Sequence, residues 1–399
     1  MSAWLAVIGI GEEGWSGLSG AARGFVETAE LVVGGARHLA LVPSLAGERL
    51  QWKSPLAATL PAVERYRGRR VVVLASGDPL CYGVGALLAR RFARDEMIVL
   101  PSPSAFSLAA ARLLWPLESC RCLSLHGRPL EKLRLHLAPG ARLLALSENG
   151  TTPASVAQLL RESGWGQSAM SVFEHLGGAK ERRCDGLAAA WPEEHVADLN
   201  LLALECRAGA DARPLSRRAG LPDDAFRHDG QLTKRAIRAA TLAALAPLPG
   251  ELLWDIGAGS GSIAIEWLRS ERFMRAIAIE RAAPRAAFIA ENAAHLGVPE
   301  IEIVQQPAPA ALEGLPAPDA IFIGGGVGDA AIWDAAWGAL KPGGRLVANA
   351  VTLDGEAELF RRHRSLGGEL TRIAVSRAED HRFWRAAMPI AQLFVVKPR

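Results

Sequence analysis

Along the chain, short apolar runs alternate with longer stretches in which alanine, leucine and arginine recur at helical spacing. Runs bounded by glycine, proline or polar clusters predict strands, and the stretches between them predict helices. In the first half the strands fall at Leu5–Ile10, Leu31–Val33, Val71–Ala75, Ile98–Leu100, Cys122–Leu125, Leu143–Leu146, Ser171–Glu174 and Leu199–Leu204. Between 207 and 230 the pattern gives way to polar residues broken by Gly and Pro, so this stretch reads as a linker and lead-in. Thr233–Ala246 then predicts a helix, stopped by Pro247 and Pro249.

A second series follows. Strands are expected at Leu252–Ile256, Ala276–Glu280, Ile301–Val304, Asp319–Ile323 and Arg345–Ala350, with helices at Ser262–Arg269, Pro284–Leu296 and Ala330–Leu340. Alternating strand and helix implies an α/β chain of parallel sheets. A continuous apolar strand such as Ala320-Ile-Phe-Ile323 implies burial on both faces. With 399 residues, too many for one ordinary core, we expect domains at 1–206 and 231–399, joined by 207–230.

Composition narrows the setting. Half of the residues are apolar and the net charge is +3, too small a bias to argue for a nucleic-acid partner. Of the 45 basic residues, six are lysine and thirty-nine arginine; codon bias explains this, or some of the guanidiniums clamp a carboxylate-rich substrate through paired hydrogen bonds. Cys81, Cys120, Cys122, Cys184 and Cys206 show no metal-ligand spacing, so no metal site is expected and the cytoplasm is the natural setting. The first residues read as a strand, not a signal peptide, and no apolar run reaches the roughly 20 residues of a membrane helix.

The most informative motif is the loop Asp255-Ile-Gly257-Ala258-Gly259-Ser260-Gly261 between a strand and a helix. Its glycines permit a sharp turn and close approach of a ligand to the main chain, and the helix behind it offers free N–H groups. A purely structural turn uses the same residues. Glu280, however, ends the next strand 19 residues after Gly261, placed to accept from two ribose hydroxyls. The spacing is Gly-x-Gly-x-Gly, and Ser262 stands where a dinucleotide fingerprint has its last glycine. Leu340-Lys-Pro-Gly-Gly-Arg-Leu-Val347 resembles the helix–turn–strand passage of Rossmann-like methyltransferases. S-adenosylmethionine is therefore the expected ligand, with an NAD-dependent oxidoreductase or an RNA methyltransferase as alternatives. Gly324, Gly325 and Gly326 stand where enzymes that methylate base nitrogens carry acidic, proline and aromatic residues. They leave room for a bulky flat acceptor, or form only a flexible turn.

In the first half, Gly9-Ile-Gly11-Glu12-Glu13-Gly14, Ser76-Gly77-Asp78-Pro79 with Tyr82-Gly83-Val-Gly85, and Pro101-Ser-Pro-Ser104-Ala105 follow successive strands. Loops at the carboxyl edge of one sheet are where open α/β sheets bind ligands. Together with Ser124-Leu-His126-Gly-Arg128, Glu148-Asn149, and Glu174-His-Leu-Gly177-Gly178 before Glu181-Arg182, this set resembles the tetrapyrrole methyltransferases, in the branch that methylates precorrins. The first loop of that family usually reads Gly-x-Gly-Pro-Gly-Asp, whereas Glu12 and Glu13 follow Gly11 here. The second half, with Gly220-Leu-Pro-Asp-Asp-Ala-Phe226, Gln231-Leu-Thr233-Lys234 and Gln306-Pro-Ala308, resembles the precorrin methylating and decarboxylating enzymes.

These resemblances imply a two-lobed tetrapyrrole-methyltransferase fold followed by a Rossmann-like class I methyltransferase domain. They imply one S-adenosylmethionine per domain, held at Gly77, Asp78, Pro79, Ser104 and Ala105 in the first. In the second it would be held at Thr233, the loop Asp255–Gly261, Glu280 and Ala308. They further imply methylation of a precorrin-6 intermediate at carbon 5 by the first domain. The second would methylate carbon 15 and remove the carbon-12 acetate carboxylate, a step in cobalamin biosynthesis. A homo-oligomer through the second domain is implied as well, with no nucleic-acid or membrane partner. His295 and His381 are proton-donor candidates by type alone, and Arg372, Arg377, Arg382 and Arg385 are candidates for pairing substrate carboxylates.

Overall fold

The computed structural model describes residues 3–44, 47–192, 195–379 and 382–399. The chain divides into two compact units, one of residues 1–130 and 138–214, the other of 215–399 with the short segment 131–137. His381 lies outside the described residues.

The first unit holds two sheets. One contains β1 (Leu5–Ile10), β2 (Leu31–Gly34), β3 (Glu48–Gln51), β4 (Val71–Ser76) and β5 (Met97–Leu100), all parallel, in the order β3-β2-β4-β1-β5. Its strands sort their side chains by parity. Leu5, Val7, Val71 and Val73 pack with Leu88 and Phe92 on one face, while Ala6, Ile8, Val72 and Leu74 pack with Leu18 and Val26 on the other. Both faces are covered, so unbroken apolar runs are what these strands require. The other sheet contains β6 (Cys120–Ser124), β7 (Arg142–Leu146), β8 (Ala169–Glu174), β9 (Arg182–Leu187) and β10 (Asn200–Glu205), in the order β6-β7-β10-β8-β9. Only β6 and β7 run parallel there.

The second unit is a seven-stranded sheet. β11 (Leu252–Ile256), β12 (Arg275–Ile279), β13 (Glu302–Val304), β14 (Ala320–Ile323) and β15 (Arg345–Ala350) are parallel. β16 (Glu369–Ile373) is followed by the hairpin β17 (Ser376–Glu379) and β18 (Phe383–Ala386), and then by β19 (Ile390–Val396). The order is β13-β12-β11-β14-β15-β19-β16, with β19 inserted antiparallel between β15 and β16. Helices cover both faces: Trp254, Ile321 and Leu346 pack with Trp333 on one side, and Leu253, Phe322 and Val347 pack with Ile263 and Trp267 on the other. This is the two-lobed fold followed by the Rossmann-like fold that the resemblances imply.

Candidate functional site

In the first unit, three loops at the carboxyl edge of the parallel sheet are woven together. The Gly77 N–H donates to the Ile10 carbonyl at 3.1 Å, the Ser102 N–H to the Gly77 carbonyl at 3.1 Å, and the Ser102 hydroxyl to the Gly9 carbonyl at 2.7 Å. A Cβ on Gly9 would stand 1.8 Å from the Gly77 oxygen, and Gly77 itself has φ +53°, so neither position admits a side chain. The Asp78 carboxylate accepts from the Leu80 N–H at 2.9 Å, turning the chain back. The Pro79 carbonyl accepts from the Gly85 N–H at 2.9 Å. Ser104 caps the helix Ala105–Leu113 by accepting from the Ser107 N–H at 3.1 Å. Gly77, Asp78, Pro79, Ser104 and Ala105 therefore lie on adjoining loops of one edge.

The loop after β1 also reaches the second sheet of this unit. Glu12 forms an ion pair with Arg37, and its other oxygen lies 3.3 Å from Nδ1 of His175, the residue that follows β8. Arg37 donates to the Ser76 hydroxyl at 2.8 Å and to Nε2 of His38 at 3.0 Å. Burial, then the neighbouring Arg37 guanidinium, push His38 down to about 4, so it is neutral near pH 7 and accepts from Arg37. Behind His175, the Arg182 guanidinium holds the Glu174 carboxyl at about 2. Tyr82 ties the Gly-Asp-Pro loop to the same sheet: its hydroxyl donates to the Cys122 carbonyl at 3.0 Å, and Arg128 lies 5.1 Å over its ring.

In the second unit the glycine loop follows β11. Gly257, Gly259 and Gly261 have φ of +72°, +59° and +79°, the left-handed region that glycine enters without strain. They differ in what surrounds them. A Cβ on Gly257 would meet the Gly325 backbone at 2.5 Å and one on Gly261 would meet Ile289 at 2.9 Å, while above Gly259 the space is open. Glu280, directly after β12, accepts from the Gly259 N–H and the Ala282 N–H, both at 2.9 Å, and so stands against the loop. Asp255 is sealed; one oxygen accepts from the Ala264 N–H at 3.0 Å and the other is unpartnered, as is the Ser260 hydroxyl. Burial pushes the Asp255 carboxyl up to about 7, against the pull of the Ala264 hydrogen bond, and Glu280 adds to the rise. An open space over Gly259, a buried carboxylate oxygen awaiting a donor and an acceptor pair at Glu280 suit a cationic nucleoside such as S-adenosylmethionine.

Thr233 and Ala308 stand differently. The Thr233 carbonyl accepts from Arg238, and Ala308 packs on the core between β13 and β14; among the described residues neither hydrogen-bonds to the glycine loop. His295 is the last residue of the helix Ala283–His295, which starts at the carboxyl end of β12 and runs back. It therefore lies at the edge opposite the loop. Arg372, Arg377 and Arg385 face Glu356, Asp223 and Glu379 at 3.6, 3.8 and 2.9 Å; for Arg382, the backbone N–H donates to the Glu379 carbonyl at 3.0 Å. A hollow of about 650 Å³ does not lie on the glycine loop but beside the lead-in, lined by Gly220, Asp223, Arg235 and Arg377.

Three residues that shape this site carry no motif. Arg238 and Glu266, both buried, bind each other at 2.6 Å, and Glu266 also accepts from the Gly220 and Leu221 N–H groups. Asn292 accepts from the Arg227 N–H at 2.7 Å and donates to the Ser260 carbonyl at 3.0 Å, clamping the lead-in to the glycine loop. The available signal was an Arg or Asn at an interior position of a helical repeat.

Comparison with known proteins finds a different family in each part of the chain. The family described as tetrapyrrole (corrin/porphyrin) methylases matches residues 5–190, and that described as precorrin methyltransferase domain matches residues 224–397. A relative from Sinorhizobium sp, named precorrin-6Y C(5,15)-methyltransferase [decarboxylating], is 52% identical over 98% of this chain and 96% of its own length. A Salmonella typhimurium protein named cobalt-precorrin-7 C(5)-methyltransferase is 31% identical over 45% of this chain and 88% of its own. The crystal structure of the C-terminal domain of the Rhodobacter capsulatus precorrin-6Y C5,15-methyltransferase is 47% identical, with a TM-score of 0.43, covering 46% of this chain and all of that one.

Proposed function

This chain belongs to the precorrin-6Y C(5,15)-methyltransferase (decarboxylating) family, and from that premise we propose a division of labour between its two units. Residues 1–206 methylate carbon 5 of a precorrin-6 intermediate. Residues 231–399 methylate carbon 15 and release the carbon-12 acetate carboxylate as carbon dioxide, with 207–230 joining them. Each unit holds one S-adenosylmethionine, the first at Gly77, Asp78, Pro79, Ser104 and Ala105, the second at Thr233, Asp255–Gly261, Glu280 and Ala308. The observation that carries this reading is that each unit gathers glycine-bearing loops at the carboxyl edge of its own parallel sheet.

The methyl donor supplies an electrophilic carbon, and the bridging carbons of a reduced tetrapyrrole are enamine-like nucleophiles. The protein's part is then chiefly alignment. In the loss of the carboxylate the bond to the carboxyl carbon breaks, and its electrons delocalise into the macrocycle as carbon dioxide leaves. The side-chain carbon then takes up a proton to become a methyl group. The five free cysteines agree with a cytoplasmic setting, and the exposed Phe383 and Trp384 of the hairpin favour a homo-oligomer formed through the second unit.

The test is to incubate the full chain with precorrin-6B and methyl-labelled cofactor, and to follow macrocycle mass and carbon dioxide. Two methyls and one carbon dioxide are expected. With Gly259→Ala the carbon-5 methyl remains and carbon dioxide release is lost, and with Gly77→Ala the reverse holds. Carbon dioxide release that disappears with Gly77→Ala but survives Gly259→Ala overturns the division.

A further inference from the structure

We propose that Glu12 and His175 form a carboxylate–histidine pair in which His175 takes up the proton that carbon 5 must lose when it is methylated. This assignment rests on the carbon-5 reading of the first unit. The need for a base follows from the chemistry. A bridging carbon that has not yet been methylated carries one hydrogen. When its electron pair takes the methyl group, the carbon–sulfur bond breaks and sulfur leaves as a neutral thioether. Carbon 5 then bears both hydrogen and methyl, and the ring carries one positive charge. Conjugation returns when the C5–H bond breaks, its electrons re-enter the ring and the proton passes to a base.

The geometry points to His175 for that role. Glu12 lies on the loop after β1, at the edge where the Gly77 and Ser102 loops meet, and His175 reaches it from the second sheet with Nδ1 at 3.3 Å. A histidine facing a carboxylate through Nδ1 donates there, which leaves the lone pair on Nε2. Among the described residues nothing is hydrogen-bonded to Nε2, and the side chain is 30% exposed, enough to meet a ligand. The carboxylate is itself held by Arg37 through its other oxygen, so that it orients the His175 ring.

Two of the charged groups around the pair are bound to partners of their own. Arg37 is shared among Glu12, Ser76 and His38, and Glu174 is bound by Arg182 and the Ala197 N–H. Glu13 is a further carboxylate here, with Oε1 3.5 Å from where a Cβ on Gly177 would stand.

Two features show that the pairing is built. His175 holds φ +46°, a conformation that few side chains adopt, and Gly178 is required because a Cβ there would fall 2.7 Å from the Cβ of Glu12. The Glu12–Glu13 segment is also where this chain departs from the usual first loop of the tetrapyrrole methyltransferases. His175 is thus the catalytic residue and Glu12 a positioning residue.

The test compares the full-length wild type with His175→Asn, since Asn tolerates a left-handed backbone, and with Glu12→Gln and His175→Gly. With precorrin-6B and labelled cofactor, His175→Asn is expected to lower kcat for the carbon-5 methyl by about 100- to 10,000-fold, with KM, thermal midpoint and cofactor binding unchanged. Glu12→Gln lowers kcat in the same way at unchanged KM. Imidazole added to His175→Gly restores the rate. The methylated ring that still holds its hydrogen accumulates in His175→Asn and absorbs at shorter wavelength, because conjugation is interrupted at carbon 5. An undiminished kcat in His175→Asn, or a defect confined to KM without imidazole rescue, overturns the pair. If the wild type itself adds no methyl at carbon 5, the functional reading of the unit fails and the pair with it.

Discussion

Arg238 donates to Glu266 across 2.6 Å with both side chains shut off from solvent, and this pair fastens the lead-in segment to the helix behind the glycine loop. The same guanidinium donates to the carbonyls of Leu221 and Thr233 and lies 4.7 Å over the Phe226 ring. Removing one partner leaves a buried charge unanswered. Arg238→Ala should cost about 3 to 5 kcal/mol, read as a fall in the denaturation midpoint. Arg238→Met with Glu266→Leu should recover part of it, though the Gly220 and Leu221 amides then lose their acceptor.

The glycines of the loop separate stability from binding. Gly257→Ala drives a Cβ into the Gly325 backbone, while Gly259→Ala meets only open space and bears only the strain of its positive φ. Gly257→Ala should lower the thermal midpoint sharply. Gly259→Ala should lower it little, yet weaken S-adenosylmethionine binding by at least about tenfold in calorimetry, because the methyl occupies the ligand's side of the loop.

Glu280→Gln keeps an acceptor for the Gly259 amide but loses the charge that would receive two ribose hydroxyls. Cofactor affinity should fall by about 10- to 100-fold. The diagnostic measurement uses the 2′-deoxy analogue: it should bind the wild type more weakly than the parent cofactor, and the gap should narrow in the variant.

Asp255 makes stability fall with alkali. Its folded carboxyl titrates at about 7 against 3.8 for the ordinary value. Its contribution is therefore complete below about pH 4 and is lost as pH rises through 7. Asp255→Asn mimics the neutral acid. The ligand-free variant should match the wild type near pH 4, exceed it at about pH 8, and bind cofactor less well; equal midpoints at both pH values would falsify the assignment.

His38 acts on the acid side. It titrates at about 4 when folded against 6.5 ordinarily, so its contribution is present above pH 6.5 and disappears as pH falls through 4. His38→Gln should flatten the decline in thermal midpoint over that interval, by circular dichroism.

The central strands were legible because burial on both faces forces an apolar run, and β1, β11 and β15 lie where those runs predict. Among the edge strands, β5, β6 and β13 keep an apolar run, but others carry no such mark. β3 reads Glu-Arg-Leu-Gln and β9 reads Arg-Arg-Cys-Asp-Gly-Leu; each pairs on one side only and is largely exposed, so polar residues suffice. The charged helix Leu353–Leu366 and the strands β16 and β17 escaped for the same reason, whereas β19, Ile-Ala-Gln-Leu-Phe-Val-Val, is largely buried and paired on both sides, an apolar run that the expected strands left out. In the site, the glycines and Glu280 announce themselves because a backbone close to a ligand admits few residue types. Arg238, Glu266, Asn292 and the meeting of Glu12 with His175 do not, since each depends on partners between 28 and 163 residues away in the chain.

The antiparallel insertion of β19 sets an order for synthesis on the ribosome. β15 and β16 are translated first but are joined within the sheet by Ile390–Val396, which pairs with both. Until those seven residues emerge, the growing sheet ends at a bare row of backbone groups along β15, a template for pairing with another nascent chain. The preceding unit has by then left the tunnel with its own sheets complete. It can fold while its successor is still held open, and aggregation-prone intermediates of this chain should be those arrested between β15 and β19.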